Sequence, residues 1–167
     1  MSPFKKPSLT AKEKLRPISG FPELLPEERR VELDWIDQIR TIFESYGFTS
    51  IEPRIVEPID VLLKQGDTDK EIYTLGRLLD TPNSDKEPTF GLHYDLTIPM
   101  ARYVAANMGK LDFPFKRYQI QKAWRGERPQ DGRFREFMQC DIDVVDTREV
   151  PLHFDVEIPA IMNQALA

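Results

Sequence analysis

Residues 113–146 read FPFKRYQIQKAWRGERPQDGRFREFMQCDIDVVD, and this stretch combines two kinds of signal. Its outer parts alternate between polar and apolar residues with a period of two, which is typical of β-strands. Its middle holds Gly126, Pro129 and the neighbours Asp131 and Gly132, which are residue types that favour turns. We therefore predict two antiparallel strands joined by a loop of about eight residues.

Each predicted strand has an apolar face and a hydrogen-bonding face. The even-numbered positions carry the apolar side chains Tyr118, Ile120, Trp124, Phe134, Met138, Cys140, Ile142 and Val144. The odd-numbered positions carry Arg117, Gln119, Gln121, Arg125, Arg135, Phe137, Gln139, Asp141 and Asp143. A sheet with one solvated face has the same pattern, so a solvent-facing surface and a ligand-binding surface are both open interpretations.

Three features favour a ligand-binding surface. Phe137 places a flat ring, able to stack on a base, on the otherwise polar face. The loop and its edges carry the arginines Arg125, Arg128, Arg133 and Arg135, whose guanidinium forks suit phosphates and carboxylates. The acceptors Gln139, Asp141 and Asp143 follow on the same face and suit a small polar ligand.

Residues 124–143, WRGERPQDGRFREFMQCDID, closely resemble the second signature motif of class II aminoacyl-tRNA synthetases. The form RPQxGR, an aromatic residue and then REF is similar to the histidyl-tRNA synthetase family in particular. The resemblance implies an α+β fold, with a class II synthetase-like antiparallel sheet flanked by helices and incomplete in this chain. We place this second motif at about residues 115–146.

The first signature motif is expected at about residues 35–58. A helix is predicted over residues 27–46 from the spacing of Val31, Trp35, Ile36, Ile39, Ile42, Phe43 and Tyr46, which we expect to face the core. Gly47 ends it, and an extended segment containing Pro53 and Pro58 follows. This order resembles the family's first motif, which builds a dimer interface, although a plain strand shielded by its prolines has the same pattern.

The remaining elements are predicted from periodicity and turn residues. They are a short helix near residues 61–63, strands over 72–79 and 89–98 separated by a turn at 80–85, a helix from 99 to 108 stopped by Gly109, and a helix within 150–167 that Pro159 kinks or interrupts. We assign residues 1–22 to a tail and lead-in, and residues 23–167 to the N-terminal portion of the catalytic domain.

Residues 92–99, LHYDLTIP, resemble the family's amino-acid-binding segment. Asp95 and Thr97 precede a predicted helix, so capping of that helix is the simpler interpretation. The resemblance implies instead that these two residues hold the α-ammonium group of an amino acid. His93 stands where many bacterial members carry arginine, and we expect a structural role for it rather than general-base catalysis.

The resemblance implies ATP-dependent activation of histidine to histidyl-adenylate, followed by transfer to tRNA(His). It assigns ATP binding to Arg125, Glu127, Arg133 and Phe137, with Arg125 as the catalytic residue that clamps the α-phosphate and the histidine carboxylate. It assigns histidine binding to Asp95, Thr97, Arg125, Gln139 and Asp143, with Asp143 accepting a hydrogen bond from the imidazole. ATP with Mg²⁺ is expected as a substrate, without a permanent cofactor, and a homodimer is expected.

The family's third motif and its anticodon-binding domain are absent from these 167 residues, so we expect the chain alone to be inactive. One alternative is a non-catalytic paralogue of the synthetase fold, such as the regulatory subunit of ATP phosphoribosyltransferase. Another is a dimerisation module built on the segment around Pro53.

Composition limits the remaining classes. The net charge is −5, which argues against a generally basic nucleic-acid binder, so tRNA contact requires a local patch. The single cysteine excludes an internal disulfide, and one cysteine with two histidines cannot supply a four-ligand zinc site. No apolar run approaches the roughly 20 residues of a membrane span, and the first residues lack a signal-peptide core. We therefore expect a cytoplasmic protein.

Overall fold

The computed structural model describes residues 10, 15–63, 71–76 and 89–167. Their contacts define two compact units. The described residues within Met1–Glu23, Ile55–Tyr94 and Ala123–Phe137 form unit 1, and Leu24–Arg54, Asp95–Lys122 and Met138–Ala167 form unit 2. The turn predicted at residues 80–85 lies outside the described residues.

The described elements follow one another in a mixed α and β order. The helices are α1 (Pro26–Ser45), α2 (Ile59–Leu62), α3 (Thr97–Asn107) and α4 (Phe154–Leu166). The strands are β1 (Thr49–Ser50), β2 (Val56–Pro58), β3 (Thr74–Leu75), β4 (Phe90–Leu92), β5 (Phe115–Trp124) and β6 (Glu136–Val145). No helix in the described part of the chain has both the length and the apolar character that crossing a membrane demands.

Helix α1 forms where the sequence predicts it. Pro26 occupies the first helical turn, and the Glu28 carboxylate accepts a hydrogen bond of 2.8 Å from the backbone N–H of Leu25. Gly47, at φ 79°, ends the helix in the left-handed conformation that glycine adopts without a steric penalty.

The prediction that α1 faces the core along its whole length is wrong. Phe43 is the buried residue of this helix, whereas Val31 and Trp35 are 56% and 57% exposed. The apolar periodicity is real, but the core of unit 2 covers only the C-terminal part of the helix. The earlier part presents apolar side chains to the surroundings.

The two long strands, β5 and β6, are neighbours in a sheet of order β1-β5-β6. β1 runs parallel to β5, with Thr49 opposite Arg117. The connecting loop covers residues 125–135 and is longer than predicted, because the ladder stops at Trp124 and resumes at Glu136. An isolated bridge between Gln130 and Arg133 closes its tip.

The even-numbered faces of β5 and β6 pack on the core of unit 2, as the alternation predicts. That core is a cluster of Phe43, Phe48, Tyr118 and Ile161, and the partly buried residues packed against it include Ile120, Cys140, Ile142 and Val144. The odd-numbered side chains of these strands therefore point away from this cluster.

In unit 1, β2, β4 and β3 form an antiparallel sheet. The strand predicted over 89–98 is wrong beyond Leu92, because the chain bends at residues 94–96 and α3 begins at Thr97. Of the strand predicted over 72–79, the described part contains Thr74–Leu75.

Two other predictions about helices need correction. Gly109 does not stop α3 as a left-handed cap, since it lies in a short 3₁₀ turn, Met108–Lys110, that follows the helix. Pro159 was predicted to kink or interrupt the last helix, and the interruption is wrong, because helix α4 continues through Pro159.

Candidate functional site

The polar face of β5 is buried, which excludes an ordinary solvated face there. Arg117 and Gln119 are fully buried and Gln121 is 7% exposed. Arg117 Nη1 donates to Gln119 Oε1 at 3.4 Å, Gln119 Nε2 donates to Gln121 Oε1 at 2.6 Å, and Gln121 Nε2 donates to the carbonyl oxygen of Pro53 at 3.1 Å. We call these three side chains the Arg117 row. A row of buried polar groups linked in this way holds its members in fixed orientations.

The Arg117 row ends at a carboxylate on the neighbouring strand. The Arg117 guanidinium forms an ion pair with Asp143, whose side chain is 40% exposed. Burial raises the pKa of Asp143, Arg117 lowers it, and Asp141 raises it further. Burial also lowers the pKa of Arg117, and both aspartates oppose that effect. Asp143 therefore presents a carboxylate that is partly open to ligands and has a cation behind it.

Gln139 has an amide group whose orientation is set by a neighbour. Its Nε2 donates to Oδ1 and Oδ2 of Asp141, both at 3.2 Å. Its Oε1 is buried and has no hydrogen-bond partner among the described residues. A buried acceptor without a donor is costly, so this oxygen is ready to accept a hydrogen bond from a cationic ligand group.

Asp95 and Thr97 meet at the start of α3 in unit 2. The Asp95 Oδ1 atom accepts hydrogen bonds from the backbone N–H groups of Thr97 at 3.1 Å and Ile98 at 3.3 Å. Helix capping is therefore the interaction observed in this conformation. Thr97 is an exposed residue of the first helical turn rather than the end of a strand.

In unit 1, the loop after β5 contributes to a cluster of charged and aromatic side chains. We call it the Tyr94 cluster, and its members are Glu71, Tyr94, Arg125, Glu127, Arg133 and Phe137. The guanidinium carbon of Arg125 lies 4.5 Å from the centre of the Tyr94 ring and 4.9 Å from that of Phe137. Arg125 Nε also donates to the carbonyl oxygen of Tyr94 at 3.3 Å. Two cation–π contacts and a hydrogen bond thus hold the guanidinium in place.

The Tyr94 hydroxyl lies between two carboxylates. It is 3.1 Å from Glu127 Oε1 and 3.2 Å from Glu71 Oε2. Burial and the hydrogen bond to Glu127 raise the pKa of Tyr94 to about 12, while Arg125 acts in the opposite direction. Glu127 also forms an ion pair with the exposed side chain of Arg133. The tyrosine thereby links the arginine to the acidic side chain of the loop.

The lead-in segment holds the loop from the other side. Arg135 Nε donates to the carbonyl oxygen of Glu127 at 2.9 Å, and its Nη1 donates to that of Ser19 at 3.4 Å. The backbone N–H groups of Arg135 and Glu136 both donate to the carbonyl oxygen of Gly20, at 2.8 and 3.0 Å. Arg135 therefore connects the lead-in to the loop that carries the Tyr94 cluster.

The structure gathers the predicted site residues into two groups. Arg125, Glu127, Arg133 and Phe137 share the Tyr94 cluster, and Asp95, Thr97, Gln139 and Asp143 belong to unit 2. Sequence reasoning missed Tyr94, which lay within the strand predicted over 89–98, and Glu71. It also missed the pairing of Arg117 with Asp143. His93 is fully buried with its ring 5.5 Å from Trp124, which agrees with a structural role.

Solved structures with this fold identify the class of protein. The crystal structure of histidyl-tRNA synthetase from Nostoc sp. PCC 7120 matches with a TM-score of 0.77 and 42% identity, over 91% of this chain and 34% of that chain. An ATP phosphoribosyltransferase regulatory subunit/histidyl-tRNA synthetase from Bacillus halodurans C matches with a TM-score of 0.74 over 91% of this chain and 37% of that chain, and at 22% identity the likeness is one of fold. The fold is that of class II aminoacyl-tRNA synthetase domains.

Sequence comparison identifies the family within that class. The family model described as histidyl-tRNA synthetase matches residues 20–167. A histidine–tRNA ligase of Thermobifida fusca (strain YX) is 59% identical over 150 residues, which cover 90% of this chain and 34% of that protein. The chain belongs to the histidyl-tRNA synthetase family, as its second-motif resemblance predicted. It spans about a third of the length of the curated relatives it matches.

Proposed function

We propose that the whole protein is a histidine–tRNA ligase that activates histidine with ATP and transfers it to tRNA(His). The observation that carries the proposal is the position of Arg125 between the rings of Tyr94 and Phe137, in a chain of this family. A guanidinium held in this way is organised before a substrate arrives, which is how enzymes stabilise charge that develops in a transition state.

The first step requires no covalent enzyme nucleophile. A carboxylate oxygen of histidine attacks the α-phosphorus of ATP, the bond from that phosphorus to the bridging oxygen breaks, and pyrophosphate leaves. Two anions must be brought together, so the protein's task is positioning and charge neutralisation. Arg125 performs both tasks by contacting the α-phosphate and the carboxylate. A ribose hydroxyl of tRNA(His) then attacks the carbonyl carbon, and AMP leaves.

The other members of the Tyr94 cluster bind the nucleotide in this proposal. Glu127 accepts a hydrogen bond from the adenine amino group, and Phe137 offers its ring for stacking. Arg133 binds the outer phosphates, for which it leaves Glu127. The Arg133 side chain is 57% exposed and can turn to the phosphates, whereas the Glu127 side chain is 13% exposed and keeps its hydrogen bond from the Tyr94 hydroxyl when Arg133 leaves. Mg²⁺ enters with ATP as part of the substrate.

Unit 2 binds histidine in this proposal. The orphaned Oε1 of Gln139 accepts a hydrogen bond from the α-ammonium group, together with Asp95 and Thr97. The Asp143 carboxylate accepts a hydrogen bond from the imidazole, and a substrate without that donor leaves the acceptor unpaired. Sites of this kind discriminate strongly between substrates.

We further propose a cytoplasmic homodimer. Val31 and Trp35, more than half exposed on α1, support a second copy of the chain as the partner of the first-motif region. Sedimentation velocity of the whole protein tests this proposal. Trp35→Lys should increase the monomer fraction, and a wild-type protein that sediments at the monomer mass contradicts the dimer.

The non-catalytic paralogue is the competing proposal. Such a protein can bind histidine without using ATP, whereas a ligase needs the phosphate-clamping arginine. This chain keeps Arg125, Glu127 and Arg133, which supports the ligase.

Histidine-dependent exchange of pyrophosphate into ATP separates the two proposals. The whole protein should catalyse it, and Arg125→Ala should lose about a hundredfold or more of the rate. Arg128→Ala removes an exposed arginine of the same loop and should keep the rate within twofold. Histidine binding without exchange supports the paralogue instead. The chain of 167 residues alone is expected to show no exchange, and turnover by it refutes that expectation.

A further inference from the structure

Arg117 is a charged side chain with no exposed surface, and it has no role in the proposed reaction steps. Burying a guanidinium is costly unless an anion and further hydrogen bonds compensate it. Asp143 supplies the anion and Gln119 accepts a hydrogen bond. Its Nε has no hydrogen-bond partner among the described residues, so packing alone does not explain why an arginine stands here.

The remainder of the Arg117 row fixes the direction of this cation. Gln119 is held by Gln121, and Gln121 is held by the carbonyl oxygen of Pro53, which belongs to the backbone and cannot rotate away. The backbone of Arg117 is itself fixed by the parallel pairing with Thr49 on β1. The guanidinium therefore has little freedom apart from its contact with Asp143.

We propose that Arg117 is a positioning residue for histidine selection, and that its buried guanidinium pairs with the Asp143 carboxylate and aims it at the substrate imidazole. The inference deepens the proposed function and rests on it, because it takes Asp143 as the imidazole acceptor. The charged groups that act on Asp143 are Arg117 on β5 and Asp141, which lies on β6 together with Asp143. Arg117 is the one that favours the charged carboxylate.

Removing the Arg117 cation changes the pKa of Asp143 in a definite direction. Burial and Asp141 both favour the protonated form of Asp143, and only Arg117 opposes them. Without Arg117, the pKa of Asp143 rises further, so the ionised acceptor is lost at a higher pH as the solution is acidified. The acidic limb of kcat/KM for histidine should therefore move to higher pH.

The test is pyrophosphate exchange by the whole protein with three variants. Arg117→Met should raise KM for histidine by about tenfold to a hundredfold, the usual effect of losing a charge-assisted hydrogen bond, and keep KM for ATP within twofold. Arg117→Lys retains the charge, so it should raise KM for histidine less and keep the wild-type acidic limb. Lys116→Met removes a neighbouring cation that pairs with Glu157, and it should change neither the KM for histidine nor the acidic limb of kcat/KM.

A double-mutant cycle separates positioning from a general loss of structure. If Arg117 acts through Asp143, Arg117→Met should add nothing to the KM for histidine of Asp143→Asn. Three outcomes each overturn the proposal. The first is additive effects of the two substitutions on the KM for histidine, and the second is a folded Arg117→Met protein with the wild-type KM for histidine and acidic limb. The third is an equal increase in the KM for ATP and the KM for histidine.

If Arg117→Met does not fold, Arg117→Lys decides in the same cycle. It should raise the KM for histidine alone and add nothing in the Asp143→Asn background, and any other result overturns the proposal. Failure of the proposed function is a separate outcome. A wild-type protein without histidine-dependent exchange refutes that function, and an Asp143→Asn variant with a normal KM for histidine refutes the role of Asp143 as imidazole acceptor.

Discussion

Replacing Tyr94 by phenylalanine removes one hydroxyl from the Tyr94 cluster and leaves the ring beside Arg125. The hydroxyl lies within hydrogen-bond distance of Glu127 and Glu71 but has one proton, so one charge-assisted hydrogen bond is lost at a time. Such a bond contributes about 1.5–3 kcal/mol to stability. We expect the free energy of unfolding to fall by about that amount.

Tyr94→Leu removes the ring as well. The ring centre lies 4.5 Å from the Arg125 guanidinium carbon, and a cation–π contact of this kind contributes about 0.5–2 kcal/mol. The leucine variant should therefore be less stable than the phenylalanine variant by a further amount in that range. It should also lower kcat, because Arg125 loses one of the two rings that hold it.

Urea unfolding and pyrophosphate exchange by the whole protein measure these effects. Tyr94→Phe should raise KM for ATP about tenfold, which corresponds to about 1.4 kcal/mol, and leave KM for histidine within twofold. Tyr46→Phe is the matched control, since its hydroxyl donates to the neutral side chain of Gln164 in unit 2. It should cost about 1 kcal/mol or less and leave KM for ATP unchanged. Wild-type stability and KM for ATP in Tyr94→Phe would refute this account of the cluster.

The pH dependence of the same variant provides a second readout. The pKa of Tyr94 is raised to about 12, so the hydroxyl's contribution is complete below the ordinary tyrosine value of about 10 and is lost as pH rises towards 12. The stability difference between wild type and Tyr94→Phe should be constant up to about pH 10 and then shrink. Tyr118, whose pKa is also raised, is present in both proteins and cancels. A constant difference up to pH 12 would contradict the prediction.

Three further substitutions, one of them a control, test how the site is supported. Gly20→Ala should destabilise the chain by about 1–2 kcal/mol and raise KM for ATP, because φ is +83° and the new Cβ would lie 2.8 Å from Cγ of Arg135. Gly132→Ala is the control, because it has a similar backbone cost without a close contact, and it should leave KM for ATP nearer the wild-type value. Equal increases in KM for ATP in Gly20→Ala and Gly132→Ala would contradict the role of the lead-in. Asp141→Leu releases the amide of Gln139 and should raise KM for histidine about tenfold without changing KM for ATP. Unchanged histidine kinetics in a folded Asp141→Leu protein would exclude a role for this orientation.

Several features of the structure follow from rules that act over a few neighbouring residues, and the sequence alone was sufficient to predict these features. Alternation with a period of two predicted β5 and β6, and it also predicted that their even-numbered side chains face the core. The shared parity of Arg125 and Phe137 anticipated their contact in the Tyr94 cluster. Gly47 marked the end of α1, because a positive φ is a local requirement.

Other outcomes depend on competition between local and distant interactions. The strand predicted through Ile98 stops at Leu92, since the Asp95 carboxylate caps two N–H groups of α3 and so favours an earlier helix start. That bend carries Tyr94 out of the strand pattern and towards Glu71 and Glu127, which are 23 and 33 residues away in sequence. No periodicity encodes such a meeting.

Burial and pairing were likewise decided by the tertiary structure. The alternation of β5 permits either a solvated or a covered polar face, and the burial of the Arg117 row distinguishes the two. The apolar periodicity of α1 is the same whether Val31 is covered by this chain or exposed. The structure shows that Val31 is exposed. Sequence patterns record which face of an element a side chain occupies, because backbone geometry repeats along the chain. They do not record what lies opposite that face, because this depends on where distant segments of the chain come to rest.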